Sequence, residues 1–237
     1  MKRVTYGVTR IGLGMVNSYL LEAPEALVLI DTGFPKSADE ILAAMKQLGH
    51  APDALAHIVL THAHPDHIGS AAALVRATGA QTWMHRVDVP IAEHADQGLR
   101  PVHPMPGLLP RLLFTAMGLM PQKVEPVRID HVIEDGDVLP FGGLRAIHAP
   151  GHCAGQVALL WPDRHVLFAA DTCMNLFRLR QPLVNEDEVL SLRSVQNVST
   201  FDFDTACFGH GNPIVREADR RFREVFGGGP RAVSAKA

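Results

Sequence analysis

A disulfide framework, a membrane span, an apolar leader and a basic face are all missing from this sequence. Only three cysteines occur in 237 residues, Cys153, Cys173 and Cys207, an odd number without regular spacing. A disulfide framework is therefore not expected, and a reducing cytoplasm is the expected compartment. No stretch reaches the roughly eighteen uninterrupted apolar residues of a transmembrane helix, so no membrane partner is expected. The opening residues, Met1-Lys2-Arg3-Val4-Thr5-Tyr6-Gly7, lack the apolar run and small-residue cleavage site of a signal peptide and read as the start of a strand. The formal net charge is -3 with no block of Lys or Arg, which argues against nucleic acid as a partner.

What is present describes an ordinary globular chain. Hydrophobic residues make up 47%, charged residues 20%, and mean hydropathy is +0.08. The length suffices for one large domain with a substantial core. Short β-rich runs fall at 16–21, 26–30, 55–60 and 81–84, interleaved with helical patterns at 37–48 and 71–78. The first helix places Ile41, Leu42, Met45 and Leu48 on one face, and Gly49 and Gly79 follow the two helices as stops. A second series of strands is expected at 129–133, 144–148, 157–161, 166–170 and 205–208, with helices at 186–198 and 216–226. Strands in both halves with helices interspersed predict an α/β fold, two sheets packed face to face with helices outside.

Two segments stand apart. Residues 97–126 carry six prolines around an apolar helix pattern at 111–120 and read as an insertion in a single domain spanning 1–226. The apolar residues there, among them Leu108, Leu112, Phe114 and Met117, suit core, a lid, a pocket for an apolar substrate, or a homodimer surface. Residues 227–237 are Gly-, Pro-, Ala- and Ser-rich and read as a flexible tail.

The chemistry concentrates in Thr61-His62-Ala63-His64-Pro65-Asp66-His67. Helical spacing cannot bring His62 and His64 onto one face, so this segment is expected to be a loop after the strand at 55–60. Imidazole and carboxylate are good ligands for zinc and similar divalent ions. Four such groups within six residues exceed what one tetrahedral ion takes from a single loop, and two neighbouring ions are the natural reading. Further ligands are sought at strand ends, where a scaffold presents functional groups. His152 follows Ala149-Pro150-Gly151, Asp171 ends Val166-Leu167-Phe168-Ala169-Ala170, and His210 lies in Phe208-Gly209-His210-Gly211.

These motifs, in this order, resemble the metallo-β-lactamase fold superfamily: T-H-x-H-x-D-H, then G-H, a strand ending in Asp, and G-H-G. Asp31-Thr32-Gly33 is similar to that family's early D-T-G turn. The resemblance implies a four-layer αβ/βα sandwich of two mixed sheets. It implies that His62, His64 and His152 bind one ion, that Asp66, His67 and His210 bind a second, and that Asp171 bridges them. The ions would be zinc, with iron or manganese as alternatives. A hydroxide held between them would attack a carbonyl or phosphoryl centre, with Asp66 orienting it or carrying a proton.

The bland alternative is a histidine-rich surface loop, which leaves the three distant partners unexplained. The remaining histidines default to structural roles, with His85 and His103 flanking the insertion as candidate substrate contacts. Cys153 and Cys173 lie beside expected ligands and are read as packing or supporting groups, and Cys207 as core. Within the family, the bridging Asp171 argues against a dedicated β-lactamase. Acyl-homoserine lactonases often carry Tyr where this chain has Met174, and glyoxalase II-like thioesterases share all seven ligands. The expected substrate is a small, partly apolar ester, lactone or thioester. The alternatives are a one-iron persulfide dioxygenase-like enzyme, a promiscuous lactamase or phosphodiesterase, and a non-catalytic metalloprotein.

Overall fold

The computed structural model describes residues 1–94, 101–108, 115 and 123–227. The expected helix at 111–120, save Thr115, and the expected tail beyond 227 lie outside the described residues.

Seven strands form the first sheet: Lys2–Thr5 (β1), Val8–Leu13 (β2), Val16–Glu22 (β3), Leu27–Ile30 (β4), Leu55–Leu60 (β5), Gln81–His85 (β6) and His131–Ile133 (β7), ordered β1 to β7 across the sheet. The first four are antiparallel neighbours, and β4 through β7 run parallel. The second sheet contains Arg145–His148 (β8), Val157–Trp161 (β9), Val166–Ala170 (β10), Thr205–Phe208 (β11) and Ile214–Val215 (β12) in the order β12-β11-β10-β9-β8. Within it β10 and β11 are parallel and the other neighbours antiparallel. Both sheets are therefore mixed, as expected.

Alternation along each strand builds the layers, because successive side chains point to opposite faces. In β4, Val28 and Ile30 face the second sheet, while Leu27 and Leu29 face helices on the outside. In β9, Leu159 and Trp161 point inward and Ala158 and Leu160 outward. With both faces covered, these strands read as unbroken apolar runs, which is why their bounds are legible in sequence. The outer layer on the first sheet comprises Ala38–Gln47 (α1), Pro65–Ile68 (α2), Ala71–Thr78 (α3) and Val89–His94 (α4). Ile41, Met45, Leu74 and Ala92 supply its buried face. The second sheet is covered by Glu188–Val198 (α5) and Ala218–Phe226 (α6), through Val195, Val198, Phe222 and Phe226. The result is a four-layer sandwich.

Local chemistry accounts for the departures from expectation. His62 to His67 is not wholly loop: Pro65 opens the single helical turn α2, where its missing N–H costs nothing. Pro90, a break by its residue type, sits in the first turn of α4 for the same reason. The last helix begins at Ala218 rather than 216, because Arg216 and Glu217 adopt φ of 77° and 51°, outside helical geometry. Strand β2 lacks a sequence signature, since Arg10 and Gly12 interrupt its apolar pattern. Two flanks of the insertion are visible: His103–Pro104 pairs with Val184–Asn185, and Val124 is buried among the first helices.

Trp161 is the largest fully buried side chain between the sheets, packed closely over Gly142. Trp161→Ala should destabilise the fold by about 3–5 kcal/mol in urea unfolding. A loss below ~1 kcal/mol would show that the sheets do not depend on this contact.

Candidate metal centre

All the expected site residues come from segments that leave strands at one end of the two sheets. His62 and His64 follow β5, with Asp66 and His67 on α2. His152 follows β8, Asp171 follows β10, and His210 follows β11. The register of β10 against β11 slips between Phe168 and Ala170, and Ala170 takes φ of 48°. That irregularity bends the strand end as it delivers Asp171.

The structure brings the seven side chains together. Among the described residues, three groups of His, Cys, Asp or Glu place their ligand atoms within 4.8 Å of one another: His62, His64 and His152; His62, His67 and Asp171; and Asp66, His67 and His210. His64 Nδ1 lies 3.1 Å from His62 Nε2 and 2.9 Å from His152 Nε2. His210 Nε2 lies 3.4 Å from Asp66 Oδ2. Asp171 Oδ2 stands between the sets, 3.1 Å from His210 Nε2 and 3.6 Å from His152 Nε2.

Two observations test whether these groups suit metal. His67 Nε2 and Asp171 Oδ1 are buried without a hydrogen-bond partner and face each other across 3.6 Å. Buried polar atoms are rarely orphaned, so such a pair points to a cation as the shared partner. Metal–nitrogen and metal–oxygen bonds of about 2.0–2.2 Å in tetrahedral geometry separate ligand atoms by roughly 3.3 Å, and the spacings here bracket that value. The donor set of neutral nitrogen and carboxylate oxygen fits zinc or a similar ion.

The second ring nitrogen of these histidines is also engaged at four of them, which fixes their orientation. His152 Nδ1 donates to Val184 O at 2.8 Å and His210 Nδ1 to Met15 O at 2.9 Å. His67 Nδ1 donates to Asp31 Oδ2 at 2.8 Å. His62 Nδ1 meets Thr61 Oγ1 at 3.1 Å, and Thr61 Oγ1 is bound in turn by Asp31. Asp31, at 2% exposure and φ of 57°, thus orients ligands on both sides of the site. In sequence it stands out only as part of a turn. The carbonyls of Val184 and Met15 carry no signal at all, because any residue supplies a carbonyl.

Charge divides the site. Burial lowers the pKa of His62, His64 and His152, the last to about 4, leaving them neutral and ready to bind a cation. Burial opposes charge on Asp66 and Asp171 too, but His67 and His210 beside them outweigh it and hold both carboxyls below the usual range. Reciprocally, burial works against protonation of His67 and His210, yet the carboxylates win and raise both, His210 to about 10. In the metal-free protein those two rings hold protons that a cation must displace.

Cys153, Cys173 and Cys207 are free and buried, and none belongs to a candidate metal group. His85 stacks on His148 at 4.1 Å rather than entering the site. His103 is exposed in the ribbon with Val184–Asn185.

The family model described as the metallo-beta-lactamase superfamily matches residues 11–210. The chain belongs to that superfamily. Members are hydrolases of a fold that binds divalent metal, and the His and Asp groups here could hold it. The Bacillus subtilis (strain 168) protein YobT is 34% identical over 174 residues, covering 70% of this chain; the alignment spans 63% of that relative's length. An N-acyl homoserine lactonase from Bacillus sp is 25% identical over 76% of this chain and 73% of its own. The probable metallo-hydrolase YflN of Bacillus subtilis (strain 168) is 25% identical over 88% and 85%. Among solved structures, a metallo-beta-lactamase family protein from Thermus thermophilus superposes with TM-score 0.71 at 21% identity, over 94% of this chain and 79% of that one. That likeness concerns the superfamily's fold. No helix among the described residues is long and apolar enough to cross a membrane.

Gly209 is held to glycine by the superfamily site itself: a Cβ there would lie 2.1 Å from Asp171 Oδ1 and 2.7 Å from His67 Cε1. Gly209→Ala should therefore lower metal content and hydrolysis together while far-UV circular dichroism stays unchanged. Full metal content in this variant would show that the packing around Asp171 is not required.

Proposed function

We propose that this protein hydrolyses a small ester, lactone or thioester with an apolar acyl or alkyl part, at a centre of two divalent ions. The observation that carries the reading is the position of Asp171 Oδ2, within 3.6 Å of a ligand nitrogen from each histidine set. His62, His64 and His152 would hold one ion, Asp66, His67 and His210 the other, with Asp171 shared. Zinc suits the donors best, with iron or manganese as alternatives. Bound there, such ions supply Lewis acidity and lower the pKa of water towards neutrality.

The protein's own groups do the rest. Asp31, Val184 O and Met15 O lock the rings so that no reorganisation is needed during reaction. Asp66 has a more exposed side chain than Asp171, 13% against 4%, and borders His210 rather than the site's depth. It is the carboxylate placed to orient attacking water and pass its proton to the leaving oxygen or sulfur through the oxygen that does not face His210.

The substrate preference rests on the lip of the site. Met15, whose carbonyl binds His210, is 60% exposed, and Asn175 N donates to His210 O, with Leu176 and the fully exposed Phe177 next in the chain. Large apolar groups flanking a polar centre suit the apolar portion of a small molecule. Resemblance to an N-acyl homoserine lactonase supports the lactone arm of this reading.

Protein prepared without a histidine tag should contain two ions per chain, lose hydrolysis on chelation, and regain it with zinc, iron or manganese. A panel of acyl thioesters, lactones and aryl esters should show turnover. Activity confined to phosphodiesters, or one iron with oxygen consumption, would overturn the proposal. Phe177→Glu should raise KM for long-chain substrates roughly tenfold with little change in kcat, as loss of about 1.4 kcal/mol of apolar contact requires. Equal loss on short-chain substrates would separate Phe177 from chain recognition.

A further inference from the structure

Asp88 is a buried carboxyl, 2% exposed, in the turn between β6 and α4, and it belongs to none of the candidate metal groups. We propose that it is a positioning residue that ties the segment carrying His62 and His64 to the loop carrying His152, and so sets the geometry of that trio.

The contacts converge from both segments. Asp88 Oδ2 accepts the backbone N–H of Ala63, the residue between the two ligands, at 2.9 Å. The thiol of Cys153, immediately after His152, lies 3.6 Å from the same oxygen. Gly155, on the same loop, packs directly against the carboxyl. Gly155 is shaped for this contact, since a Cβ on it would lie 2.2 Å from Asp88 Oδ1. Ala63 and Cys153 each present a donor, and a carboxylate presents only acceptors. An amide would put a donor against one of them, which in a buried setting leaves two groups unpaired.

The turn holding Asp88 is itself anchored. Its carbonyl accepts the N–H groups of Ile91 and Ala92 at 3.0 and 3.1 Å, and Ala92 is fully buried against the first sheet's helical layer. The Asp88 side chain thus adds a link from the core to the trio, beside the one that runs from Asp31 through Thr61 to His62. Asp31 plays the matching part for His67, by a direct bond to its ring. Asp88 acts one step further out, through the backbone on either side of the rings. Supporting partners of metal ligands typically change affinity by about 10–100-fold when removed.

This inference rests on the metal-centre reading, and the test separates the two. Metal-free full-length wild type, Asp88→Asn, His152→Ala and His210→Ala are each titrated with cobalt(II), following visible absorption and stoichiometry. Wild type should bind two ions. Asp88→Asn should keep one near wild-type affinity and bind the other about 10–100-fold more weakly, with a residual spectrum matching His152→Ala and not His210→Ala. Two ions at wild-type affinity in Asp88→Asn, or a spectrum matching His210→Ala, overturns the positioning role alone. Wild type that takes up no ion overturns the metal-centre reading and this inference with it. If Asp88→Asn does not fold, amide exchange in the wild type decides: a protected Ala63 N–H supports the clamp, and exchange at open-loop rates overturns it.

Discussion

The negative charge of Asp171, buried where the two sheets end, organises everything around it. A carboxylate removed from water needs cations or donors close by. Here His210 stands 3.1 Å away, and His67 and His152 are each at 3.6 Å. Burial favours neutral imidazole on His152, while the carboxylates favour imidazolium on His67 and His210. The same charge that holds protons in the metal-free arrangement would hold cations in the loaded one.

Such a cluster of like groups does not assemble unaided, and the fold supplies the constraint. Tyr19 and Asn17 of the first sheet bind the backbone of Phe208 at the end of β11, and Asn17 also binds Gly211 O. Those bonds span the space between the sheets and fix the loop that carries His210. Val157 N bonds to Thr61 O, joining the second sheet to the end of β5 beside His62. The core between the sheets and the site at their ends are therefore one mechanical unit. Trp161 and Phe168 below keep the sheets in register, and the backbone bonds above carry that register to the ligands.

The polar centre and its apolar lip do different work. The centre is common to a superfamily of many substrates, so it names a way of breaking bonds without naming the bond. Under the proposed function, choice of substrate would fall to groups such as Met15, Leu176 and Phe177, which are exposed. The described flanks of the 97–126 segment reach the site indirectly. His103–Pro104 pairs with Val184–Asn185, and Val184 O orients His152.

The amino-acid sequence by itself determined the elements with both faces buried and marked the candidate ligands. Leu55–Leu60, Val157–Trp161, Val166–Ala170 and Thr205–Phe208 are legible to the residue because compact apolar runs end abruptly at turns. Imidazole and carboxylate side chains at strand ends carry their chemistry in their identity, so His62, His64, Asp66, His67, His152, Asp171 and His210 stand out from sequence alone. Tertiary structure alone decided what orients them. Backbone carbonyls of Met15 and Val184 are anonymous in a sequence, and Asp88 follows β6 with no motif to mark it. Their roles exist only where segments distant along the chain are brought within hydrogen-bond reach, because those bonds depend on position rather than residue type.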